Sequence, residues 1–445
     1  MKIVQQLLEA LGVAGEVATH GTGGLPSVFA VDDLATATVA VANVALASLH
    51  AVRAGVAPPR VTVDRAHAAV AFRSERHLAP AGWELPAPWD PIAGDYATAD
   101  GTIRIHTNYR HHRAAVLRVL GVAEDRAAVT RAIATSDGEA LETAIVAEGG
   151  AAAKMRTLAE WAAHPQGAAV AAEPIFARKL SGGRRTLRAG SGLSGVRVLD
   201  LTRVIAGPVC TRLLAAYGAD VLRLDPPGFE EVAALLPDVT QGKRRAALDL
   251  ATADGEAGFA ELVATADVIV CGYRGGSRVV EQVLRSDPGC ALVLLDAYGW
   301  TGPWKERRGF DSLVQMSCGI AARSREATGA TALPAQALDH GAGYLLAAAA
   351  CAALERRAKT GEGSVTRLSL ARVARLLVDF GETGDPGAIA PAPSPYLEDE
   401  RSDFGPLARV RVPGGVEGLV PRWSRPAGPL GVDPARWADQ AMPSR

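Results

Sequence analysis

Hydrophobic and polar positions change period repeatedly along this chain, and residues 193–225 hold the clearest succession of changes. Val196 to Leu201 is a short aliphatic run, the pattern of a buried strand. Ala206-Gly207-Pro208 interrupts it, and a proline suits the first turn of a following helix. Cys210, Leu213, Leu214 and Tyr217 then recur at helical spacing, and Gly218 supplies a stop. Ala219 to Leu224 is a second aliphatic run. The pattern predicts a β-α-β unit, with parallel strands and a right-handed crossover.

Elsewhere the elements are read in chain order. Ile3, Leu7, Leu8 and Leu11 predict an amphipathic helix ending at Gly12. Leu34 to Val52 is apolar enough to span a bilayer, but it carries Thr36, Thr38, Asn43 and Ser48. It therefore predicts a buried core helix within residues 33–56. Pro58-Pro59 breaks the chain before a short strand at Val61–Val63, and Ala66 to Glu75 predicts a helix. Gly94–Tyr96 reads as a turn and Thr98–His106 as an edge strand, followed by helices at 109–120, 127–134 and 138–149. Lys179 to Ser191 has the composition of a linker. The apolar run Gly343–Leu354 is too short to span a membrane. Residues 383–445, with many Pro and Gly, predict a wrapping segment with short strands. An approximate repeat links Asp33–Val63 to Asp339–Leu368: an Asp, a long Ala-rich helix, a basic end, a glycine turn and a strand.

Composition narrows the classes. The 445 residues are enough for two or three domains, and their Ala- and Gly-rich make-up, with 5% aromatics, predicts close, helix-dominated packing. With 47 basic and 48 acidic residues, the net charge of −1 gives no basic excess for nucleic acid. Five scattered cysteines form no CxxC or His-rich cluster, so neither a disulfide framework nor a metal site is expected. Gln5, Gln6 and Glu9 stand where a secretion signal needs apolar residues. The odd, widely spaced cysteines fit a reducing compartment, so a cytoplasmic chain with no membrane partner is expected. A dinucleotide site would want Gly-x-Gly-x-x-Gly after the first strand; only Gly207 lies in the turn, so NAD is not expected.

The run from Val196 to Asp225 resembles the opening of the family III CoA-transferases (the CaiB/BaiF family), and later segments resemble that family in the same order. These are Gly242-Lys243-Arg244-Arg245 leading to Leu248-Asp249-Leu250, Ala266-Asp267-Val268 with Arg274, Tyr298-Gly299-Trp300-Thr301-Gly302-Pro303, Gly309-Phe310-Asp311 with Gln315 and Gly319, and Thr360-Gly361-Glu362-Gly363. Asp100-Gly101 before a His-bearing helix, and Arg156-Thr157 with Glu160-Trp161, are similar to its small domain. The resemblance implies an α/β fold, with a Rossmann-like parallel-sheet domain in the C-terminal half and a smaller mixed α+β domain in the N-terminal half. The organisation expected is residues 1–180, a linker at 181–192, the sheet domain at 193–382 and the wrapping segment at 383–445.

That resemblance also implies an activity: moving coenzyme A between an acyl-CoA and a carboxylic acid through an aspartyl-CoA thioester, in an interlaced homodimer. A carboxylate suits such chemistry because it can attack a thioester and then capture the thiolate. Asp311, at the head of an apolar helix, is the first catalytic candidate. The second is Glu326, the sole carboxylate of the loop Gly319–Ala337, where the family's nucleophilic Asp is expected. Asp339 reads as a helix cap. For coenzyme A, the candidates are the turn Ala206, Gly207 and Pro208, with Lys243, Arg244 and Arg274 as phosphate partners. The family's Pro-x-Gly-Asp-Pro-x-Arg is here Pro226-Pro227-Gly228-Phe229-Glu230, without its arginine. An acyl-CoA racemase using Asp311 is an alternative, although Phe310 stands where the racemases have His. A non-catalytic CoA-binding or structural paralogue is another.

Overall fold

The computed structural model describes residues 2–273, 278–286, 289–323 and 330–439. Its centre is a seven-stranded sheet. The strands are β1 (Ala177–Arg184), β2 (Arg197–Leu201), β3 (Asp220–Asp225), β4 (Lys243–Ala247), β5 (Val268–Cys271), β6 (Ala291–Asp296) and β7 (Glu362–Ser369). They lie in the order β4-β3-β2-β5-β6-β7-β1. β2 to β7 run parallel, and β1 pairs antiparallel to β7 at the edge.

Alternation along these strands sorts their side chains onto two faces. Val198, Val221, Val268, Val270 and Val293 face one core, and Leu199, Leu222, Ile269, Leu292 and Leu294 face another. The first core is covered by α1 (Val31–Ala54), α2 (Ala206–Ala216) and α4 (Ala337–Thr360), the second by the helix Ala253–Thr265 and by Trp437. Burial on both faces explains why the strands read as continuous aliphatic runs rather than alternating ones.

α1 and α4 are each 24 residues long and pack along one another. Each ends on a glycine with positive φ, 68° at Gly55 and 80° at Gly361, and each is followed by a strand and then a helix. The two copies of the sequence repeat are thus neighbours in one chain. Both helices are long and apolar enough to cross a membrane, yet 83% and 100% of their apolar windows are buried inside the protein. α4 extends well beyond its apolar run. The polar groups of α1 are paired internally: Thr38 donates to the Leu34 carbonyl (2.9 Å), Asn43 to the Val39 carbonyl (2.9 Å), and Tyr217 donates to Asn43 (3.1 Å). Arg53, at the basic end, donates to the carbonyls of Arg188, Gly192 and Ser194 and so fixes the approach to β2. The expected linker at 181–192 therefore starts inside β1 and ends against α1.

The smaller unit has its own core of Ile92, Tyr96, Ile103, Ile105, Val116, Val129, Ile133 and Ile145. Gly94–Tyr96, expected as a turn, lies in the strand Gly94–Thr98, and Gly101–Ile105 is the middle strand rather than an edge, because Ala152–Lys154 pairs on its far side. α3 (Asp311–Ser317) joins the two units, with Leu313 and Met316 packed on Ala151 and Ala153. In the closing segment, the hairpin Leu397–Ser402/Gly405–Val410 pairs with Ala79–Pro80.

Candidate active site

Neighbouring strands β2 and β5 mark where the strand order reverses, and ligands of open parallel sheets bind beyond the carboxyl ends at such a point. β2 leads there into the turn Thr202-Arg203-Val204. Val204 has φ 64°, a left-handed conformation that a β-branched side chain rarely adopts. The turn is held in place from two sides. The Val204 N–H donates to Glu231 (3.1 Å), a carboxylate that also takes hydrogen bonds from Tyr109 (2.7 Å) and Arg223 (3.0 Å). From below, Asp200 accepts from the Thr202 N–H (3.0 Å), Thr211 (2.6 Å) and Lys243 (2.9 Å). Gly207 is required at the start of α2, since a Cβ there would lie 2.2 Å from that of Thr202.

Two cavities meet above this turn. The first, about 430 Å³, is lined by Ala206, Gly207, Phe229, Tyr273, Asp296 and three arginines, Arg203, Arg307 and Arg308. Arg203 stacks over Phe229 at 3.6 Å and donates to the Tyr273 hydroxyl (2.8 Å). Burial pushes the Asp296 carboxyl up to about 8, against the opposing N–H groups of Tyr298 and Gly299. The second cavity, about 480 Å³, is walled by Leu85, Pro88, Trp89, Val232, Leu235 and other apolar groups, with Glu75, Arg76 and His106 among its polar ones. Both cavities share Val204, Phe310 and Asp339.

The sequence treats two aspartates in the opposite sense to their geometry. Asp311 is 1% exposed and caps the next long helix: it accepts from the N–H groups of Leu338 (2.8 Å) and Asp339 (2.9 Å) and from the Gln315 amide. Burial raises its carboxyl to about 6 against those donors. Asp339, expected as the cap, is not one; Gln336 holds the N-cap position of α4. Instead the Asp339 side chain borders both cavities and accepts no hydrogen bond from any described residue. Burial, and then the charges of Asp311 and Glu75, raise its carboxyl well above the usual range. Glu75 pairs with His340 at 3.0 Å; burial alone would raise its carboxyl, but that partner outweighs burial and holds it below the usual range.

Ala206 and Gly207, expected in a ligand-binding turn, open α2 and line the first cavity, whereas the Pro208 carbonyl receives Lys243 (3.2 Å). Lys243 and Arg244, expected on CoA phosphates, lie at the amino-terminal start of β4, the end opposite the cavities. Lys243 is fully buried against Asp200, which a charged group tolerates only when paired, and Arg244 grips Asp220 through two bonds of 2.7 and 2.8 Å. Arg274 and Glu326 lie outside the described residues. His106, His111 and His112 pack among aromatic rings and border the two cavities. His106 stacks on Phe310 at 3.7 Å, and burial lowers its imidazole to about 3. Among the described residues no cluster of His, Cys, Asp and Glu could hold a metal ion.

Residues 193–389 match the model of CoA-transferase family III. That region of the chain is similar to the family. Of its relatives, an acetyl-coenzyme A transferase of Hypoxylon pulicicidum is 34% identical over 181 residues, covering 38% of this chain and 30% of its own. A succinyl-CoA–D-citramalate CoA-transferase of Chloroflexus aurantiacus is 29% identical over 200 residues, covering 40% of this chain and 49% of its own. A solved structure from Mycobacterium tuberculosis has 29% identity and a TM-score of 0.39, covering 42% of this chain and 57% of that one. The match thus spans half or less of these curated relatives' length. The family III match takes in β2 to β7, the Val204 turn, Asp311 and Asp339, and it excludes the small unit that supplies His106, Tyr109 and the Trp89 wall.

Proposed function

We propose that the chain is an acyl-CoA:carboxylate CoA-transferase whose nucleophile is Asp339. The observation that carries this reading is the free Asp339 carboxylate at the junction of two cavities, in the first turn of a long helix whose N-terminus favours negative charge. Coenzyme A is assigned to the first cavity, where Arg203 and Arg308 suit its phosphates, Arg307 being paired with Glu142 (2.8 Å), and the Ala206-Gly207 turn admits its thiol arm. The sheet domain is taken as Rossmann-like, because its six parallel strands fall in the doubly wound order.

The chemistry balances with no further reagent. An Asp339 oxygen attacks the thioester carbonyl, the C–S bond breaks, and a mixed anhydride and a CoA thiolate result. The thiolate attacks the Asp339 carbonyl, forming an aspartyl-CoA thioester and releasing the donor acid. The acceptor carboxylate then attacks that thioester, and the displaced thiolate takes the acceptor's acyl group, returning Asp339 as a carboxylate.

Calorimetric titration with CoA tests the assignment of the first cavity. Arg203→Ala is expected to raise Kd about tenfold or more, the worth of one charge-assisted hydrogen bond. Arg244→Ala, at the other end of the sheet, is expected to leave Kd unchanged. The reverse pattern would return the phosphates to the start of β4. The reading also fixes a pH dependence. As pH falls through the raised pKa of Asp339, the carboxylate gains a proton and ceases to be a nucleophile. The acid limb of the pH–kcat/KM profile is therefore expected above the ordinary aspartate range. Glu75→Gln removes one of the charges that raise it and should move the limb to lower pH.

A further inference from the structure

Resting on Asp339 as the residue that takes up CoA, we propose that the second cavity receives the acyl group, that it is built for an apolar monocarboxylic acid, and that acids with a second carboxylate are excluded. The placement follows from the shared wall. With the thioester carbonyl at Asp339 and CoA leaving through the first cavity, the remaining direction for the acyl chain is past Phe310 and Val204 into the second. There it meets Leu85, Pro88, Trp89, Val232 and Leu235. A volume near 480 Å³ accommodates a chain or ring of moderate size.

The charges around this cavity disfavour a diacid. Glu75 is held ionised by His340, and its side chain is 8% exposed. Arg76 lies 3.5 Å from Glu75 and donates to the Pro334 carbonyl (3.2 Å), so its charge is already engaged. His106 is uncharged at neutral pH because burial lowers its imidazole. A distal carboxylate would shed its water against apolar walls beside Glu75, whose pairing with His340 and Arg76 leaves no uncommitted cation among the described lining residues. Trp89, 48% exposed and edge-on to His106 at 6.0 Å, stands at the rim, where the length of the acyl chain is felt. This selectivity sets the chain apart from a relative named for succinyl-CoA and citramalate. The walls come from residues 85–89 and 232–235, of which the first group lies outside the family III match.

The test is the rate of CoA loading onto the full-length protein, read by intact mass, with pentanoyl-CoA and glutaryl-CoA, which are equal in carbon number and differ in the distal group. Pentanoyl-CoA is expected to load about a hundredfold faster or more. Glu75→Gln should narrow the ratio by about tenfold, since it removes the facing charge while any common effect on Asp339 cancels. Trp89→Arg, a change at an exposed position, should narrow it independently by supplying a cation. Equal or faster loading by glutaryl-CoA overturns the acyl-group proposal and leaves transfer through Asp339 standing. A ratio unmoved by both variants overturns the electrostatic cause. Absence of loading with every donor removes both this proposal and the transferase reading.

Discussion

Replacing Asp339 with Asn is expected to lower CoA transfer by on the order of a thousandfold or more, the scale seen when a covalent nucleophile is removed. CoA binding should survive, because the arginines of the first cavity are untouched. The same change should raise the thermal midpoint. The folded protein holds the Asp339 carboxyl above its unfolded pKa, so the protonated form fits and stability is lost as pH rises through the folded value. Asn imitates the protonated form, so at neutral pH the variant escapes that loss. Activity down and stability up together mark a site that gives up stability for function. A merely structural Asp339 would show the opposite change in stability. Asp311→Asn provides the contrast in activity: Asp311 is committed to two N–H groups at the start of α4, and its expected effect is that CoA loading is retained.

Replacing Lys243 with Met is expected to destabilise the protein by about 3–5 kcal/mol, because it strands Asp200 as a buried, uncompensated charge. Both side chains are fully buried, and burial pushes the Lys243 ammonium down to about 8 even with Asp200 beside it. Thr202 and Thr211 cannot neutralise the carboxylate; they only hydrogen-bond it. The loss should appear as a lower midpoint in denaturant with an unchanged slope. Asp200→Asn combined with Lys243→Met should recover much of it, since neither charge is then left unpaired. A surface lysine on a phosphate would instead cost affinity for CoA and almost no stability.

Why Lys243 misleads a reader of the sequence is a matter of strand direction. The pattern places Lys243 and Arg244 at an end of β4, but not at which end the ligand lies. In a parallel sheet, the starts of strands share one rim and the carboxyl ends share the other. Lys243 reaches two strands across, to Asp200 on β2, a pairing that no spacing reveals. The two aspartates mislead for a similar reason. Asp311 and Asp339 each head a helix in the sequence, and both fit a cap or a catalytic group. Only the tertiary fold shows that Asp311 caps the next helix rather than its own and reaches the second cavity alone, whereas Asp339 borders both. Arg203 sits just before the Ala206-Gly207-Pro208 turn that the sequence marks, one residue before the positive φ of Val204, yet nothing local says that its guanidinium lines a cavity. By contrast, β2, α2 and β3 were legible because burial on both sides writes aliphatic runs, and the turn between them needs a glycine. Glu75 and Trp89 were not, since they come from a region with its own local pattern and reach the site only by packing.

The decisive measurement is the intact mass of the full-length protein after incubation with an acyl-CoA, followed by peptide mapping with and without hydroxylamine. Transfer through Asp339 predicts a CoA adduct on the peptide that holds Asp339. That adduct should be released by hydroxylamine and absent from Asp339→Asn. An adduct on Asp311 or Glu326 with Asp339 unmodified would contradict it.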